Sequence, residues 1–168
     1  MKNRLILLLL ALSFVFCGCN LSPEQDKTHT DSSSKTFRVY VCGAVENEGY
    51  VTVAEGADVN SAIAIARLAE RGLLPTYGSQ LVVADCVVIV SFSDKAGKVC
   101  YPVNCNGMAV VNKLPCQGVE QNAVDAVADY VAVHGTIRNK TQLKQALGEL
   151  YSSNYFKFYV AEADYEAD

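Results

Sequence analysis

Few side chains in this 168-residue chain could do chemistry, and the seven cysteines are the most reactive of them. Cys17 and Cys19 close an apolar amino-terminal run, which leaves Cys42, Cys86, Cys100, Cys105 and Cys116, an odd number. Five thiols can form two disulfides at most, with one left over. Cys100 and Cys105 are close enough for a local loop, and Cys42 and Cys86 lie in strand-like runs that could face each other. Buried, reduced thiols are the equal alternative. Zinc would want paired cysteine spacings with His or Cys at short range, and Cys100-x4-Cys105 stands alone, so no metal site is expected. His134 is the only histidine of the folded part, because His29 sits in a polar linker. It ends a helical pattern, where a cation suits the helix dipole. No nucleophile motif lies beside it and no glycine-rich phosphate loop follows a strand, so an enzyme is the least supported class and no cofactor is expected.

Charge bears on which partners such a chain could bind. The chain carries −4 overall; without Lys2 and Arg4, Lys plus Arg falls from 14 to 12 against 18 acids, near −6. An acidic balance argues against a general nucleic-acid binder, although one basic face can hide in such an average. Between residues 104 and 150 four basic residues (Lys113, Arg138, Lys140, Lys144) meet four acids (Glu120, Asp125, Asp129, Glu149), for a local net charge of zero. Arg138, Lys140 and Lys144 could make a modest phosphate patch, against the plainer reading of a solvated helix face.

The elements that must position these groups follow from the pattern. Residues 1–19 read as a lipoprotein-type signal peptide, with Lys2 and Arg4 before an apolar run too short to span a bilayer comfortably. It ends at Phe16-Cys17-Gly18-Cys19, which resembles a bacterial lipobox, so Cys19 is the expected lipidation site. Residues 20–36 are polar, a flexible tether. Residues 37–41 and 50–53 are β-branched and aromatic runs around an acidic, Gly-containing turn, which predicts a β-hairpin. The period then changes to 3.6: Val59, Ala62, Ile63 and Ala66 share a helical face, with Asp58 or Asn60 as N-cap and Gly72 as the stop after about Arg71. Residues 81–90 supply one or two strands, 94–98 a hairpin turn and 99–103 a closing strand. The unbroken apolar run 87–90 predicts burial on both faces or under the helix. Val119, Ala123, Val127, Tyr130 and Val131 then share a face, with Asp125 and Asp129 opposite. A further helix is expected over about 141–151, with Thr141 as N-cap. Residues 155–160 read as a strand and 161–168 as a frayed acidic end.

The run Val39-Tyr40-Val41-Cys42-Gly43-Ala44-Val45, with Gly49-Tyr50 and Glu55-Gly56-Ala57-Asp58-Val59-Asn60-Ser61-Ala62-Ile63, resembles the SLBB domain, the soluble-ligand-binding β-grasp module, in the variant of ComEA-type competence proteins. That family commonly has Pro where this chain has Glu48, and a Gly pair where it has Arg67-Leu68. Val103-Asn104-Cys105-Asn106 resembles the family's opening of a helix-hairpin-helix, and gap-free continuation places Gly118-Val119-Glu120 at the hairpin and Gly148-Glu149-Leu150 at a second. Both hairpins keep the first glycine and lose the second, and Ala123 stands where the family tends to carry a basic residue. Glu120 puts a carboxylate where a phosphate would sit. Two like charges at 4 Å repel by about 1 kcal/mol in water and several times that at a protein surface.

The expected fold is therefore α+β: an SLBB-like β-grasp domain over 37–103, a degenerate helix-hairpin-helix region over 104–151, and a strand with an acidic tail over 152–168. The resemblance implies a membrane-anchored, extracytoplasmic, non-catalytic receptor for double-stranded DNA. Its contacts would be Lys113, Gly118, Val119, Gln121, Asn122, Arg138, Lys140 and Lys144. The alternatives are an SLBB lipoprotein that binds a glycan or other soluble ligand at a rim including Glu46, Asn47, Gly49 and Tyr77, or a structural envelope protein that binds another protein through its sheet edge.

Overall fold

The computed structural model describes residues 34–114 and 118–168, so Cys19, the leader, nearly all of the linker and Cys116 lie outside the described residues. The hairpin forms as the alternation predicts. Strand β1 (Thr36–Gly43) pairs antiparallel with β2 (Gly49–Ala54), with Tyr40 opposite Tyr50 and Val41 opposite Gly49. Helix α1 (Val59–Ala66) follows, capped by Asp58, whose carboxylate accepts the Ser61 amide at 2.8 Å. The helix is shorter than its pattern suggests. Arg67 takes φ 61 at its end, and the β1–β2 turn closes over it: the Glu46 and Asn47 amides donate to the Arg67 and Ala66 carbonyls. Gly72, expected as the stop, instead begins β3 (Gly72–Leu73), where a Cβ would stand 2.6 Å from the Ala44 carbonyl oxygen.

Strand β4 (Cys86–Ser93) runs parallel to β1, from Val39 opposite Cys86 to Gly43 opposite Val90, and antiparallel to both β3 and β5 (Val99–Cys100). The sheet order is β2-β1-β4-β3, with β5 also on β4. Residues 87–90 are not buried on both faces: Val88 and Val90 pack inward while Val87 and Ile89 are exposed. Only one face of β4 meets α1, so an apolar run reads there as ordinary period-two alternation. Asp94 shapes the expected turn by accepting the Ala96 and Lys98 amides. The single closing strand is split at Pro102. Residues Val103–Asn104 form β6, which pairs parallel with β7 (Phe158–Tyr159) in a separate two-stranded sheet.

Among the described residues the later α-helices are α2 (Met108–Val111), α3 (Gln121–His134), α4 (Lys140–Leu147) and α5 (Tyr151–Asn154). The cap of α4 is Asn139 rather than Thr141, its side chain accepting the Gln142 amide. One core gathers Val39, Val41, Val53, Ile63, Val88, Val90 and Phe92 between sheet and α1; Phe156, far along the chain, joins it. A second gathers Val110, Val124, Val127, Ile137, Leu143, Leu147 and Phe158 among the helices. Each such fully buried aliphatic side chain contributes about 1.5–3 kcal/mol. Residues 34–168 form one compact unit. Among the described residues no helix is long and apolar enough to cross a membrane.

The acidic end is docked, not frayed. Tyr165 packs edge-on against Tyr40 and Tyr50 at ring-centroid distances of 5.2 and 6.1 Å, and Asp164 accepts from the Asn106 side chain at 3.1 Å. Tyr165 also covers Gly49, whose φ of +144 favours a residue without Cβ.

Candidate functional site

The start of α3 is where a phosphate contact was expected. Gly118 holds φ +82 and turns the chain into the helix; Val119 is buried, and Glu120 is the N-cap without a side-chain cap bond. Gln121 spends its amide on the Lys113 carbonyl and on Asp125, at 3.1 and 3.0 Å, and Asn122 accepts the Ala123 amide. Lys113, Arg138, Lys140 and Lys144, the basic residues expected there, do not line the cleft at this turn. Lys113 pairs with Asp129 and Arg138 with Glu166. Lys144 is exposed on α4 with no ion pair among the described residues.

Lys140 faces inward. Its ammonium lies 3.0 Å from the Glu48 carboxylate and donates to the Tyr155 and Phe158 carbonyls at 3.0 and 3.2 Å. Glu48 is buried; its other oxygen accepts the Val160 amide at 2.6 Å, and Tyr40 donates to the Val160 carbonyl at 2.9 Å. This buried network ties the β1–β2 turn to α4 and to the carboxyl-terminal strand. Burial, reinforced by Glu48, pushes the Tyr40 hydroxyl and the Cys42 thiol well up and takes Cys105 up to about 12. Such thiols are poor nucleophiles.

Cys42, Cys86, Cys100 and Cys105 are all free, and Cys42 stands opposite Ile89, not Cys86. The register of β1 on β4 separates the two residues that the strand pattern could have paired. Among the described residues no three His, Cys, Asp or Glu side chains gather where they could hold a metal ion.

The expected ligand rim is not one place. Glu46 and Asn47 close the carboxyl end of α1, with Glu46 3.1 Å from Arg67, whereas Tyr77 belongs to the turn whose Gly78 carbonyl receives the Asn60 amide at the amino end. An eight-residue helix, about 12 Å long, separates them. Tyr77 does border a groove of about 360 Å³, with Leu74, Thr76, Ile89, Ser91 and Tyr101 around it and no charged residue in its wall. Tyr77 is 41% and Tyr101 73% exposed. Tyr101 carried no signal in the sequence, where it read only as part of a closing strand.

A second cleft, also about 360 Å³, is charged. Arg71, Lys95 and Lys157 line it with Asp94 and Glu120, where the 94–98 turn meets Gly118 and the start of α3. Sequence reasoning assigned none of the three cations a role, because they come from segments far apart in the chain.

No family model matches the chain, and no curated protein matches it.

Proposed function

We propose that this chain is a non-catalytic binding protein held outside the cytoplasm by a lipid on Cys19, with an SLBB-type β-grasp module as its amino-terminal half, and that it binds an uncharged glycan. The observation that carries the ligand is the groove between Tyr77 and Tyr101. Exposed aromatic rings offer flat apolar faces to the C–H faces of a sugar, and Thr76 and Ser91 supply hydroxyls beside them. An uncharged wall suits a neutral saccharide better than a phosphate or an acid. The hairpin, the helix and the parallel β1–β4 pairing support the β-grasp reading.

A receptor for double-stranded DNA has less to stand on. Of the four cations that the resemblance would use, Lys113, Arg138 and Lys140 are engaged by carboxylates. The test is calorimetric titration of the full chain in mild detergent with N-acetylglucosamine oligomers, beside a mobility shift on duplex DNA at low salt. Saccharide binding that is indifferent to salt and lost in Tyr101→Ala supports the reading. Absence of saccharide binding, or a DNA shift that fades with salt, overturns it.

A further inference from the structure

Lys157 is 6% exposed, yet among the described residues its ammonium has neither a hydrogen bond nor an ion pair. The stem is what is buried: the ammonium is not among the fully buried polar atoms and opens, unpaired, onto a cleft. What surrounds this one is more positive charge. Among the described residues Arg71 also lacks a carboxylate partner, and each of the two cations lies 5.9 Å from the centroid of the Phe156 ring. Lys95 joins them on the wall of the charged cleft, which has room for a small molecule at about 360 Å³.

The carboxylates nearby offset this charge only in part, two against three. Asp94 already accepts two amides of its own turn at 2.8 Å. Glu120 lines the cleft, yet makes no ion pair with Lys157. Its side chain also leaves the first turn of the 14-residue helix α3 without a cap bond, so the amino end of that helix adds its positive pole. Burial is the main cause that lowers the Lys157 pKa; Glu120 pulls it up, and Arg71 and Lys95 push it down by less each. Three cations and two carboxylates line the cleft, and an anion between Arg71 and Lys157 would give both a partner.

We infer that this cleft is a binding site for a tetrahedral oxyanion of phosphate type, held by Arg71 and Lys157 with Lys95 at its rim. Cations arriving from three separate chain segments, together with a helix start, match an anion that presents oxygens on several sides. A planar carboxylate would engage one guanidinium fork and leave the remainder unused. The site is separate from the tyrosine groove and stands or falls without it.

The test uses the full chain in mild detergent. Thermal unfolding is followed in sodium phosphate up to about 50 mM, against sodium chloride of equal ionic strength and against acetate, and affinity is measured by calorimetry; a ligand that binds only the folded state raises the midpoint. Phosphate is expected to raise the midpoint where chloride and acetate do not, and affinity should fall at least tenfold in both Arg71→Met and Lys157→Met. Lys144→Met, remote from the cleft, should bind like the unaltered chain. Should Lys157→Met fail to fold, Arg71→Met and Lys95→Met carry the same comparison. No phosphate-specific shift, an equal shift with acetate, or a shift that survives the cleft variants would overturn the assignment.

Discussion

Replacing Lys140 by methionine removes one side chain and strands three acceptors. The Glu48 carboxylate loses its cation at 3.0 Å, and the Tyr155 and Phe158 carbonyls lose donors at 3.0 and 3.2 Å. Glu48 keeps the Val160 amide at 2.6 Å, which limits the damage without neutralising the charge. Breaking a buried ion pair from one side costs about 3–5 kcal/mol, and a chain of this size shifts its midpoint by roughly 2–4 °C per kcal/mol. The expected fall in melting temperature is thus on the order of 10 °C, read by circular dichroism at neutral pH. Glu48→Gln alone should also destabilise, and the double variant should lose less than the sum, with a coupling of up to about 3 kcal/mol. Lys144→Met, four residues on but exposed, should stay within about 0.5 kcal/mol of the unaltered chain. A Lys140→Met variant as stable as Lys144→Met would refute the argument, because the ammonium would then not be holding the turn to α4. The same geometry has a practical corollary: lost ligand binding in a Lys140 variant would report a loosened fold, not a lost ligand contact.

Two further outcomes follow from groups nearer the surface. The cap bonds to Ser61 hold the Asp58 carboxyl below its usual pKa, so that contribution is present above the ordinary aspartate range and is lost as pH falls through the lowered value. Asp58→Asn keeps a capping side chain and removes the titration; its unfolding midpoint should decline less on acidification than the parent's, and an identical acid limb would count against the cap. Alkylation with iodoacetamide at pH 8, mapped by peptide mass, should modify the exposed Cys86 first and leave Cys42, Cys100 and Cys105 protected until denaturant is added. Rapid modification of Cys42 or Cys105 in the native protein would contradict their burial.

Much of the fold was readable where the signal is local. The alternation of Val39, Val41, Val51 and Val53 gives the hairpin, and Asp58 before a 3.6-residue apolar stripe gives α1. The end of α1 was not readable, since Ala69 continues the apolar pattern while the chain leaves the helix at Arg67. What stops it is the β1–β2 turn bonded over its last carbonyls, a contact from twenty residues earlier. The run 87–90 left open burial on both faces or packing under the helix, and Val88 and Val90 take the second, because apolar residues alone do not reveal how many layers cover a sheet.

Charge shows the same limit at the site. The balance of acids and bases over 104–150 was legible as a sum, but a sum does not say who pairs with whom. Lys113 finds Asp129 inside that window, whereas Arg138 goes to Glu166 and Lys140 to Glu48, both outside it. The tail reads as frayed for the same reason: its acids suggest solvent, and the ring of Tyr165 docks it instead.

That closure sets an order of events for a chain made from one end to the other. Glu48 emerges early, but the amide it accepts belongs to Val160, 112 positions later, and β6 has no partner strand until Phe158 and Tyr159 are synthesised. The amino-terminal hairpin therefore waits with a carboxylate that has nowhere to settle, while the strand meant for β7 is still unmade. The Glu48 bond and the β6–β7 pair can form only once residues 158–160 have been made, so a chain cut before Phe158 is expected to lack both, however intact its first half.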